Sequence, residues 1–175
     1  AIGHVDQGCV GAGTGTSCYG LKGGIGTASR KVDNHTVGVL MQTNFGRLDE
    51  LTVLGVPIGQ HLTANDVPDN GDGSVMVIIA TDAPFTSRQL GRLAHRVAFG
   101  LGRTGTVCHH GSGDFVVAFS TAPLTDVIPD HHQSNINAYF QAVVEGVEES
   151  VYNALFAATT TQGIDGHQLQ ALSHE

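Results

Sequence analysis

The stretch Gly71–Pro84, GDGSVMVIIATDAP, constrains the architecture more than any other part of the chain. Asn70, Gly71, Asp72 and Gly73 form a turn, because Gly supplies positive φ and Asn and Asp hydrogen-bond their own backbone. From Val75 to Ala80 every residue is apolar, and most are β-branched. Such a run, bounded by turn residues, predicts a strand covered on both faces and hence a layered fold. Ser74 stands at the joint between turn and strand. It is either a strand-capping residue or a hydroxyl presented at a strand end.

The neighbouring elements fit a layered α/β domain. Thr36–Asn44 (TVGVLMQTN) predicts a strand that runs into an Asn44-Phe45-Gly46 turn, and Leu51–Pro57 a shorter one. Ile58–Leu62 continues irregularly, and Thr63–Gly73 is a polar surface loop. After Pro84, Thr86 or Ser87 caps a helix to about Leu101, with Leu90, Leu93, Ala94, Val97, Ala98 and Leu101 on one face. Gly105–Gly113 is a loop, Asp114–Thr121 a second apolar strand, and Pro123–Gln133 a polar connection. A long helix from about Asn135 to Ala158, capped by Ser134, carries Ile136, Phe140, Val143, Val144, Val147, Val151 and Leu155 as its stripe. Glu145, Glu148 and Glu149 fall on its solvated side. The order strand, strand, strand, helix, strand, helix predicts layers in a single domain.

Composition narrows the function classes. A net charge of −8 argues against nucleic acid and anionic membranes as partners. No apolar run reaches the roughly 18 residues of a membrane span, and the opening residues are not expected to act as a signal peptide. Three cysteines (Cys9, Cys18, Cys108) without a C-x-x-C pair favour a reducing compartment over a disulfide framework. Of ten histidines, His109–His110 and His131–His132 are adjacent pairs whose side chains diverge, so neither a metal nor a cofactor is expected. The Gly11–Gly15 stretch, GAGTG, lacks the preceding strand, following helix and acidic answer of a dinucleotide loop. Lys22 is followed by Gly23, so no phosphate-loop pattern is present either.

Polar residues fall at strand ends beside glycine turns at Asn44, at Ser74 and at Ser112 with Asp114. Strand ends and their loops are where layered folds build sites. No hydrolase elbow surrounds Ser74, but Gly73-Ser74 offers another route. If the bond before Ser74 is cut, the new α-amine, with a pKa of about 7.7–8.0, can accept the hydroxyl proton. Gly73 leaves the approach to that carbonyl unobstructed.

Five colinear blocks carry a family resemblance. They are GGIGTASR (Gly23–Arg30), TVGVLMQTNFG (Thr36–Gly46), DGSVMVIIATDAP (Asp72–Pro84), RQLGRLAHRVAFGLGRTG (Arg88–Gly105) and GSGDFVVAFSTA (Gly111–Ala122). Together they resemble the L-aminopeptidase/D-esterase family, which includes the β-peptidyl aminopeptidases. The resemblance implies an αββα sandwich of amino-terminal-nucleophile type and self-cleavage between Gly73 and Ser74, giving segments 1–73 and 74–175. Ser74 would then be the nucleophile, and Asn44 would contribute to the oxyanion hole. Ser112 and Asp114 would orient the nucleophile and its amine. Family members carry a long stretch before the glycine-rich region, so this chain is expected to hold only the later part of the pattern. The residues that read the substrate's amino group are expected outside it.

The activity implied is that of a self-processing serine aminopeptidase, acting on short peptides, amino-acid amides or esters. It would work as a homo-oligomer of αβ units completed by the remaining amino-terminal part of the family fold. Its location would be cytoplasmic, or periplasmic if a signal peptide lies upstream. The alternative is a truncated or unprocessed, non-enzymatic family member serving as an assembly partner. A phosphate-binding module built on Gly11–Gly15 ranks third.

Overall fold

In the computed structural model, residues 3–62, 73–123 and 135–173 are described. Two short strands, β1 (Ser17–Cys18) and β2 (Leu21–Lys22), form a small hairpin ahead of the main sheet. That sheet has four strands: β3 (Ile25–Val32), β4 (His35–Asn44), β5 (Gly73–Thr81) and β6 (Ser112–Ser120). The first three pair antiparallel in sequence order, and β6 lies parallel to β5. The parallel step needs a crossover, which α1 (Ser87–Ala94) and α2 (Val97–Arg103) provide. The long α3 (Ile136–Phe156) packs on β3 and β4, and the pair β7 (Thr161–Gln162) and β8 (Gln168–Leu169) comes after it. No described helix is long and apolar enough to cross a membrane.

The helices lie on one face of the sheet. Val37, Val39 and Met41 of β4, with Val75, Val77 and Ile79 of β5, are buried there beneath Val143, Val147, Val151 and Leu155 of α3. Gly26 lets α3 approach, because a Cβ at that position would run into the Ser150 carbonyl. Helix α1 starts on a capping box, in which Thr86 Oγ1 accepts from Gln89 N and the Gln89 side chain accepts from Thr86 N.

Several expectations are corrected. The apolar strands are not covered on both faces. Met76 is 44% exposed and Phe115 61%, and Ile78, Val117 and Phe119 are exposed beside them. An apolar run shows that a strand can be buried on two sides, not that one chain supplies both covers. Leu51–Pro57 is not a strand: it follows a 3₁₀ turn (Leu48–Glu50) and makes only a tight turn closed by a bridge between Val53 and Val56. Leu54 and Gly55 there adopt positive φ, which a strand cannot accommodate. The helix after Pro84 is two helices, broken at His95 and Arg96, where Arg96 N bonds Leu93 O in a tightened turn. Strand β3 adds to the expected elements, since IGTASRKV carries little apolar signal. Glu145 and Glu148 are not merely solvated; they pair with Arg30 (3.2 Å) and Arg103 (3.1 Å), and Glu149 also pairs with Arg30. The Ser134 cap, His131, His132 and most of the Thr63–Gly73 loop lie outside the described residues.

Candidate active site

Strand direction builds the site. Because β4 runs antiparallel to β5, its last residue meets the start of β5. Because β6 runs parallel to β5, their starts also meet. Three ends therefore converge: Asn44 is the register partner of Ser74, Ser74 of Gly113, and Gly73 of Ser112. Alternation along β4 and β5 sets Asn44 and Ser74 on the same side as Met76 and Ile78, away from the helices.

Ser74 Oγ donates its proton to the Gly73 carbonyl oxygen at 2.6 Å, across the bond whose cleavage the sequence suggests. A Cβ on Gly73 would sit 2.6 Å from the Asn44 carbonyl oxygen, so β4 and β5 meet here only with glycine. A Cβ on Gly113 would stand 3.7 Å from Ser74 Oγ and 3.3 Å from the Phe115 ring. Asn44 Oδ1 accepts the Ser17 N–H at 3.3 Å, which leaves the Nδ2 protons for another acceptor.

On β6, Ser112 Oγ donates to Asp114 Oδ1 at 2.6 Å. The Cys108 thiol is also held against the Asp114 carboxylate. Burial, and then that carboxylate, push its pKa up to about 11. The Ser112 N–H donates to the His109 carbonyl at 2.8 Å, and His109 Nε2 meets the Glu50 carboxylate at 2.8 and 3.0 Å. A cavity of about 1310 Å³ opens along this end of the sheet, with Asn44, Gly73, Ser112 and His109 on its wall.

Strand register gathers the strand ends that carry Asn44, Ser74, Ser112 and Asp114. Ser112 is paired with Gly73 and Asp114 with buried Val75, however, so alternation turns their side chains to the face opposite Ser74 and Asn44. One detail differs: the Ser74 proton is directed to Gly73, not to Ser112 or Asp114. Sequence reading missed the Glu50–His109 pair, since 59 residues separate its members and nothing local marks Glu50. It also set Lys22 aside as a failed phosphate-loop lysine. Lys22 is buried, with its ammonium on the Gly13, Thr16 and Gly23 carbonyls. A lone charged residue inside the glycine-rich run Gly8–Gly26 was the available signal. Gly11–Gly15 forms a 3₁₀ turn. Among the described residues no group of three His, Cys, Asp or Glu side chains could hold a metal.

The model of peptidase family S58 matches residues 1–169. The chain belongs to peptidase family S58. It is 41% identical over 201 residues to the β-peptidyl aminopeptidase BapA of Sphingosinicella microcystinivorans, covering 99% of this chain and 51% of that protein. Among solved structures it is similar to the L-aminopeptidase D-Ala-esterase/amidase of Ochrobactrum anthropi (39% identity, TM-score 0.85). That structure is described as a prototype for the serine aminopeptidases and a new variant among the Ntn hydrolase fold. A Burkholderia sp. β-aminopeptidase is similar too (38% identity, TM-score 0.86), and each match covers 99% of this chain and 52% of the other. The chain spans about half the length of the S58 relatives it matches. Its fold class is the layered α/β arrangement of the amino-terminal-nucleophile hydrolases, represented among the described residues by a four-stranded main sheet with a helical layer on one face.

Proposed function

We propose that this chain carries the catalytic strand ends of a self-processing serine aminopeptidase. In this reading Ser74 Oγ first attacks the Gly73 carbonyl carbon. The Gly73–Ser74 C–N bond breaks, the amine takes up a proton, and water hydrolyses the resulting ester. The freed α-amine of Ser74 then serves as base for its own hydroxyl, which forms an acyl-enzyme with short peptides, amino-acid amides or esters. Asn44 Nδ2 donates to the oxyanion in both reactions. Asp114, through Ser112, orients the nucleophile and its amine.

The observation that carries this reading is the register that sets Asn44, Ser74 and Gly113 side by side, with the Ser112–Asp114 pair on the adjoining strand. The alternative, a non-enzymatic assembly partner, is less favoured, since the matched relatives are named as aminopeptidases. We also infer that the open sheet face is covered by the half of the family fold outside the span matched here, and that the αβ units assemble further.

Intact mass and turnover of the full protein test the proposal. The wild type should break between Gly73 and Ser74 and release amino-terminal residues from amino-acid amides. Ser74→Ala should stay uncut and inactive, because one hydroxyl serves both acyl transfers. Ser74→Cys should retain some processing, since a thiolate is intrinsically a good nucleophile. Cleavage and turnover of Ser74→Ala at wild-type rates would refute the assignment.

A further inference from the structure

Lys22 has no part in the reaction proposed above, yet its surroundings are unusual. The residue is 1% exposed, and Nζ donates to Gly13 O at 2.9 Å, Thr16 O at 2.7 Å and Gly23 O at 2.7 Å. Three acceptors require three N–H donors, which only the ammonium possesses. No carboxylate pairs with it among the described residues; the ammonium is met by the three carbonyl dipoles, with the Cys9 thiol beside it. A buried cation without a counter-ion is costly, and a solvated side chain would tie down the glycine-rich loop at less expense.

The Thr16 carbonyl that Lys22 holds belongs to the same peptide unit as the Ser17 N–H. That N–H is the donor to Asn44 Oδ1. An uninterrupted path thus leads from Lys22 Nζ through the Thr16–Ser17 peptide to Asn44 Oδ1 and, across the side-chain amide, to Nδ2. Both amides are conjugated. Drawing electron density to the oxygen of each makes its N–H groups stronger donors, and hydrogen bonds in such a chain reinforce one another. The Ser17 N–H also fixes which way the Asn44 amide faces, since only an oxygen can accept it.

We propose that Lys22 is a positioning residue for Asn44: its buried charge, passed through the Thr16–Ser17 peptide, orients the Asn44 amide and strengthens Nδ2 as donor to the oxyanion. The inference deepens the proposed aminopeptidase reading and rests on it. It differs from a structural role in one respect. A lysine that only ties the loop down would matter whether or not Asn44 is present, whereas one that acts through Asn44 would not.

The test is a double-mutant cycle in the full protein, followed by steady-state hydrolysis of an amino-acid p-nitroanilide. Lys22→Met should lower kcat about tenfold with KM within about twofold, and should cost less than about twofold when Asn44 is already Ala. Equal losses in the two backgrounds, or a loss carried by KM, overturn the proposal. So does a Lys22→Met enzyme with wild-type kcat while Asn44→Ala is impaired, which leaves the oxyanion reading standing. Full activity of Asn44→Ala overturns both readings together. Should Lys22→Met fail to fold, replacing Ser17 by its α-hydroxy acid removes only the linking N–H. The same loss, again absent in the Asn44→Ala background, is expected, and unchanged kcat overturns the proposal.

Discussion

The two faces of the sheet share their strands and almost nothing else. On β5, Val75, Val77 and Ile79 are sealed beneath the helices, while Met76 and Ile78, between them, face outward and remain exposed. Strand β6 repeats the contrast, with Phe115, Val117 and Phe119 exposed on the outward side and Val116 and Ala118 packed on the other. Hydrophobicity does not distinguish the faces; the presence of α1, α2 and α3 does. Ser74 and Asn44 belong to the open face by alternation, at its rim. The covered face therefore holds the fold together, and the open face carries Ser74 and Asn44, while Ser112 and Asp114 leave the start of β6 on the other side. Substitutions on the two faces should separate into losses of stability and losses of turnover.

The largest effect is expected on the covered face. Ile79 is fully buried, and Ile79→Ala removes three carbons from a site closed by the sheet on one side and helices on the other. It should cost about 2–5 kcal/mol, read from the denaturation midpoint, while turnover per folded molecule stays unchanged. A cost below about 1 kcal/mol would mean that this face is not the core. Asn44→Ala is the counterpart at the rim of the open face. It should lower turnover about 10²–10³-fold if Nδ2 serves the oxyanion, with the midpoint nearly unmoved. A loss of stability without a loss of turnover would assign Asn44 to the fold instead.

Much of this division was legible in the sequence, and the remainder was hidden for physical reasons. The ends of β4, β5 and β6 could be read because each joins an apolar run to glycine or a turn residue. Their convergence could not be read, since strand pairing is long-range; the family resemblance supplied that step. Strand β3 was missed because Ile25–Val32 alternates small, polar and charged residues, so its apolar signal is weak, although a buried glycine inside it receives α3. Lys22 was misjudged because a motif is defined by the residues adjacent to a lysine in sequence, whereas its role depends on the carbonyls that surround it in space. The open face misled for the opposite reason: its apolar side chains are real, but a sequence does not show which segment covers them.

Asp114 should give a smaller effect than Asn44, and one of a different kind. Its carboxylate accepts the Ser112 hydroxyl on the adjoining strand, while the Ser74 hydroxyl is bonded to the Gly73 carbonyl. A carboxylate close to the Ser74 α-amine would raise that amine's pKa and weaken it as a base at neutral pH. Asp114 is therefore expected to act by orientation through Ser112. Asp114→Asn keeps the shape and an acceptor oxygen while removing the charge. It should lower turnover by at least about tenfold and shift the lower limb of the pH–rate profile, with little change in stability. Full activity with an unchanged profile would make Asp114 a turn residue only.

The smallest effect is the one that tests the open face itself. Val117 is exposed in this chain, so Val117→Thr exchanges a methyl for a hydroxyl that water can solvate. On the chain alone the change should move the unfolding free energy by no more than about 0.5 kcal/mol, the usual scale for a surface site. Joined to the remaining half that the matched relatives possess, the same hydroxyl would lie between two layers. Without a partner there it would cost about 1–3 kcal/mol. A cost that appears only in the longer protein would identify the open face as the seat of a second layer. An equally small cost in both would mean that the face stays wet, and that the apolar run through β5 and β6 answers to something other than a covering sheet.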